Sequence, residues 1–94
     1  MFRILYDGQY GIYPPGSTQT IQIVTTPGKV HILILPSQSN PIQLMINGNV
    51  GYLNQGSALN AGNWYEFEYV TGGVDVISLN GAPQSAYLKV VVYD

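Results

Sequence analysis

The sequence predicts an all-β protein: a single domain, residues 1–94, folded as a two-sheet antiparallel β-sandwich of jelly-roll type. An immunoglobulin-like sandwich or a small barrel is the alternative. Three observations predict this class. Apolar and polar residues alternate with a period of two along nearly the whole chain. Turn-forming residues separate one alternating run from the next. No ten-residue segment has the spacing of an amphipathic helix.

Taken in order, the elements begin with two short runs, 2–6 and 10–13, in which Tyr6, Tyr10 and Tyr13 punctuate a start rich in glycine and proline. A strand over 18–25 follows, with Ile21 and Ile23 on one face and Gln22 between them. The run 29–35 contains "VHILIL", apolar on both faces apart from His31, and reads as a central strand. In 41–47, Ile42, Leu44 and Ile46 alternate with Gln43, Met45 and Asn47. Asn47-Gly48 is the strongest hairpin signal, because both residues accept the positive φ of a type I′ turn. It predicts a strand over 50–54 returning beside 42–46. Residues 54–62 carry two glycines and read as a loop. The strand 63–70 then places Tyr65, Phe67 and Tyr69 on one face, and Trp64, Glu66 and Glu68 on the other. The tyrosine–phenylalanine face is expected inward, opposite Ile77 and Leu79 of the next strand, 74–79. A last strand, 86–93, directs Leu88, Val90 and Val92 inward and Tyr87, Val91 and Tyr93 outward around Lys89.

Composition narrows the function classes. A chain of 94 residues supports one modest core. Without cysteine, neither disulfides nor thiolate metal sites reinforce it. Charged residues make up 9% of the chain, against about 25% in ordinary soluble domains, so charge repulsion between copies is weak. Arg3, Lys29 and Lys89 are scattered and the net charge is −2, which argues against binding a nucleic-acid backbone. The longest unbroken apolar run, Ile32–Leu35, is too short to span a membrane, and no secretion signal opens the sequence. The expected site of synthesis is therefore a cytoplasm.

Several residue groups invite a chemical reading. Glu66 and Glu68, at i and i+2 of a strand, stand roughly 6.5–7 Å apart, near the separation of inverting glycosidase carboxylates. Any Glu-x-Glu strand yields that spacing, however, and two acids on one flat face share one environment where catalysis needs two. As a cation site the pair has only Asp7, Asp75 and Asp94 to help it, so no metal is expected. His31, the sole histidine, has no recognisable nucleophile and reads as hydrogen-bonded locally or facing an interface. No phosphate-loop, dinucleotide or zinc-protease motif is present, and neither an enzymatic activity nor a cofactor is expected. The aromatics, 12% of the chain, are the richer signal. Trp64, Tyr87 and Tyr93, with Tyr10 and Tyr13 near the start, suit a half-apolar, half-wet contact surface. Trp64, Glu66, Glu68, Tyr87, Val91, Tyr93, Tyr10 and Tyr13 are the candidate interaction residues.

The ending "LNAGNWYEFEYV…DVISL…YLKVVVYD", in a cysteine-free all-β chain, resembles the small jelly-roll proteins of virus particles, specifically tailed-phage capsid cement or decoration proteins. The resemblance implies a non-enzymatic virion protein that acts as a homo-oligomer, with a trimer favoured, and clamps neighbouring capsid subunits. It transfers no individual site residue. A carbohydrate-binding module or lectin is the second expectation: Trp64 and nearby tyrosines would stack on a glycan while Asn63, Glu66 and Glu68 accept hydroxyl hydrogen bonds.

Overall fold

The structure, a computed structural model, describes residues 2–14, 19–24, 27–49 and 60–93. Among them the chain forms seven strands and no helix. They are β1 (Phe2–Ile12), β2 (Ile21–Val24), β3 (Gly28–Leu35), β4 (Ile42–Ile46), β5 (Tyr65–Thr71), β6 (Val74–Gly81) and β7 (Gln84–Tyr93). The strand expected over 50–54 lies outside the described residues, as does most of the 54–62 loop.

Two antiparallel sheets pack face to face. The larger has the order β1-β7-β3-β5 and the smaller β2-β6-β4. Each successive strand lies in the sheet opposite its predecessor, so the chain crosses the sandwich at every corner. Pairing is nested about β4: β3 with β5, β2 with β6 and β1 with β7. Rolling this nested ribbon adds the contacts of β3 with β7 and of β4 with β6, which closes the two sheets. That is jelly-roll connectivity. It differs from the immunoglobulin arrangement, whose first two strands are neighbours in one sheet.

Local chemistry explains the corners. The described prolines, Pro14, Pro27, Pro36, Pro41 and Pro83, lie between strands, where the missing N–H removes no ladder bond. Asn47 and Gly48 take φ of 52° and 80°, and Ile46 and Asn49 exchange N–H···O bonds of 3.0 Å on either side. The tight turn foreseen at Asn47-Gly48 is formed. Gly81 is needed for a different reason: a Cβ there would stand 2.6 Å from the Pro41 carbonyl oxygen, where β6 meets the start of β4.

The core is the inward rows of both sheets. Ile23, Ile42, Leu44, Ile77 and Leu79 of the smaller sheet meet Val30, Ile32, Ile34, Leu88, Val90 and Val92 of the larger, all of them buried. Two sequence expectations change. The runs 2–6 and 10–13 are one continuous strand, because Asp7-Gly8 stays extended and pairs with Lys89 and Leu88. A bulge between Ile4 and Tyr6 shifts the register, and Leu5 and Tyr6 both pack against the core. Tyr65, Phe67 and Tyr69 do face inward, but their strand neighbours are Ile34, Ile32 and Val30 of β3, while β6 belongs to the facing sheet.

Truncation should separate the two kinds of position sharply. Leu44→Ala, in the core, is expected to cost about 2–5 kcal/mol. Val74→Ala, three-quarters exposed, should stay within about 0.5 kcal/mol. Urea denaturation of each variant measures both.

Candidate functional site

The outer face of the larger sheet gathers most of the residues singled out by the sequence. Its register sets them in rows across four strands. At one end lie Phe2, Tyr93, Lys29 and Val70; next come Ile4, Val91, His31 and Glu68. Asp7, Lys89, Leu33 and Glu66 form the third row, and Gln9, Tyr87 and Leu35 the fourth. Trp64, just before β5, completes the far end: its ring meets that of Tyr87 edge-on at 5.7 Å.

Each end is rich in exposed apolar side chains, with Lys29 in the first row and Gln9 in the fourth, and the middle is charged. Phe2 and Tyr93 pack ring to ring at 5.3 Å, and Ile4 lies beside them; all three are about half exposed. Val70 is 77% exposed on the edge strand of the same end. At the opposite end Trp64 is more than half exposed, and the Tyr13 ring folds over Gly11 so closely that a Cβ there would stand 2.7 Å from it. The Tyr87 hydroxyl donates to the Asp7 carboxylate. That hydrogen bond, with a smaller contribution from burial, pushes the Tyr87 phenol above its ordinary value.

In the middle, His31 stands between two acids. Its Nε2 lies 3.0 Å from Glu66 Oε1 and its Nδ1 3.8 Å from Glu68 Oε2. The histidine side chain is 20% exposed, against 60% and 45% for the glutamates. Sequence spacing offered Asp75 as the nearest helper for this pair. The structure places Asp75 in the smaller sheet, pointing inward, and brings His31 to the glutamates instead.

Asp75 has a separate role. Its carboxylate accepts hydrogen bonds from Asn47 Nδ2 at 2.7 Å, from the Tyr69 hydroxyl at 2.9 Å and from Thr71 Oγ1. Asn47 also takes the Val76 N–H on its Oδ1 at 2.9 Å, so the hairpin turn, the end of β5 and the start of β6 are tied to one acid. Burial works to raise the Asp75 carboxyl, and the three hydrogen bonds outweigh it, holding the group below its ordinary 3.8. Burial, reinforced by that acid, pushes the Tyr69 phenol well up.

Of the candidate interaction residues, Trp64, Glu66, Glu68, Tyr87 and Tyr93 share this face, and Tyr13 covers its upper end. Two need correction. Tyr10 is wholly buried: its hydroxyl donates to the Gln19 carbonyl and accepts the Leu79 N–H at 3.3 Å, which binds β1 to the smaller sheet from inside. Val91 points outward as expected but is 4% exposed, because β1 and β3 flank it with Ile4 and His31. Sequence reasoning overlooked Phe2, Ile4 and Val70 as surface residues. For Val70 the signal was its alternation with inward Tyr69; Phe2 and Ile4 alternate with Arg3, a pattern that by itself points them inward, so no local signal marked them.

Compared with known proteins, the chain matches no family model and no curated protein.

The Asp75 linkage has a defined pH signature. A carboxyl lowered in the folded state holds its proton more weakly there than in the unfolded chain. Its stabilisation is therefore present above about pH 4 and is lost as pH falls through the folded value. Asp75→Asn should cost about 1–3 kcal/mol at pH 7. The gap to wild type should narrow in urea titrations at pH 3.

Proposed function

We propose that this protein is a non-enzymatic structural subunit of a virus particle, a capsid cement or decoration protein that clamps neighbouring subunits. The carrying observation is the apolar end of the outer face, where Phe2, Ile4, Val70 and Tyr93 stand exposed within two adjoining rows. Phe2, Ile4 and Tyr93 are neighbours, with Lys29 between Tyr93 and Val70, and exposed apolar surface of this kind marks an interaction site more often than free surface. The edge supports the same reading. Among the described residues β5 ends the larger sheet, with Glu66, Glu68 and Val70 turned outward; it carries no lysine or proline, and its two glutamates are the charges a further strand would have to accommodate. Jelly rolls recur in viral capsids, and the low charge of this chain lets like copies approach. Assignment to a virion rests on that analogy of fold and on the resemblance of the C-terminal third.

In this reading the clamp is a homo-oligomer, a trimer or larger, that covers the Phe2–Tyr93 end and leaves other surfaces for capsid proteins. Light scattering on the purified chain should give at least three times the monomer mass at micromolar concentration. Phe2→Ser combined with Ile4→Ser should lower it to one subunit while the far-ultraviolet circular dichroism spectrum is kept. A wild-type monomer throughout that range removes the oligomeric clamp.

The Trp64–Tyr87 pair favours a second reading, a glycan-binding module, because jelly rolls also serve as lectins and an exposed indole offers a flat face to a sugar ring. A glycan array decides it: binding should be present in wild type and lost in Trp64→Ala, and silence from wild type ends the idea.

A further inference from the structure

The three-residue group in the middle of the outer face has the composition and placement of a metal site. Glu66 and Glu68 project from the same side of β5, and His31 lies directly opposite Glu68 on β3. Two ligands at i and i+2 of one strand, with a third across the ladder, form a tripod over a single point on the sheet. One imidazole nitrogen and one oxygen of each carboxylate all lie within 4.8 Å of one another. Ligands of a tetrahedral zinc ion stand about 3.4 Å apart, given metal–ligand bonds near 2.1 Å. The His31 Nε2–Glu66 Oε1 separation of 3.0 Å is close to that spacing; the 3.8 Å contact of Glu68 is with Nδ1, across the ring, so the Glu68 carboxylate turns toward Nε2 to complete the set.

The imidazole itself supplies the independent sign. Its Nε2 is closed off from solvent and makes no hydrogen bond, although Glu66 Oε1 is 3.0 Å away. A polar nitrogen sheltered in this way ordinarily has a partner. A cation on the nitrogen lone pair, with the carboxylate oxygen beside it as a fellow ligand, would supply one. The ring is held in place: Val91 is buried next to it and the Tyr93 ring lies 6.4 Å away. The two glutamates, both exposed, are free to adjust around that fixed ligand.

We propose that His31, Glu66 and Glu68 bind a divalent transition-metal ion of the zinc class on the outer face of the larger sheet. The donor set selects the class. Imidazole nitrogen favours zinc and its neighbours, whereas calcium and magnesium prefer sites built wholly of oxygen. Two carboxylates balance the charge of the ion. Three protein ligands leave a position for water.

Isothermal titration of the chain over residues 1–94 with zinc chloride, with magnesium chloride as comparison, tests the site. Zinc should bind at one equivalent per chain and magnesium should give no saturable signal. Glu66→Gln and Glu68→Gln, on exposed positions that leave the core untouched, should each weaken zinc about tenfold or more. Cobalt(II), added in place of zinc, should give the strong visible absorption of a tetrahedral site in wild type and lose it in His31→Ala. If His31→Ala fails to fold, the two glutamine variants decide alone. No saturable zinc binding, or zinc affinity unchanged in both glutamine variants, overturns the proposal.

Discussion

The pairing of β7 with both β1 and β3 is the interaction on which the larger sheet depends. β7 is the last strand in sequence, yet it lies between the first and the third. Its inward residues Leu88, Val90 and Val92 are wholly buried, and its outward residues stand at the centre of the exposed face. Remove it and, among the described residues, β1 loses its one partner within the sheet, while β3 becomes an edge. The smaller sheet has the same logic on a shorter scale, with β6 between β2 and β4. β6 and β7 both come from the C-terminal third, and β1, β2 and β4 wait for them, whereas β3 and β5 pair with each other.

That arrangement explains how much of the fold could be read from sequence. Period-two alternation is a local property, so β2, β3, β4, β5 and β6 could be located from their own residues, and Asn47-Gly48 announced its turn through the φ it requires. Partner choice is non-local. Nothing in Tyr65, Phe67 and Tyr69 distinguishes Ile77 in the adjacent strand from Ile32 in a strand further back, because both offer an apolar row of the same period. The bulge near Leu5 was hidden for a related reason: a one-residue slip in alternation looks like the end of a strand when the partner strand is unknown.

The candidate site divides along the same line. Trp64, Glu66 and Glu68 on a single outward face were legible, since alternation alone dictates it. Their approach to His31 was not, because it depends on the β3–β5 register. Position did hold a clue: His31 falls between the inward residues Val30 and Ile32, which turns it to the same side as Leu33 and Leu35. Burial of Tyr10 and Val91 was illegible for opposite reasons. Tyr10 is enclosed by a chain segment that folds over it from the next corner, and Val91 is enclosed by neighbours on its own surface.

The Phe2–Tyr93 contact has a consequence for how the protein is made. Its two rings come from the first and last described strands, so the apolar end of the outer face is assembled from the residues most distant in sequence. Loop-closure entropy rises only logarithmically with length, and joining β1 to β7 carries an entropy cost only about 1 kcal/mol above that of the inner β3–β5 closure. The timing differs more than the energy does: of the described strands β7 is synthesised last, and contacts of this span form late. A nascent chain thus displays Phe2 and Ile4 without the surface that organises them. The surface built from Phe2, Ile4 and Tyr93 therefore exists only once β7 has docked between β1 and β3.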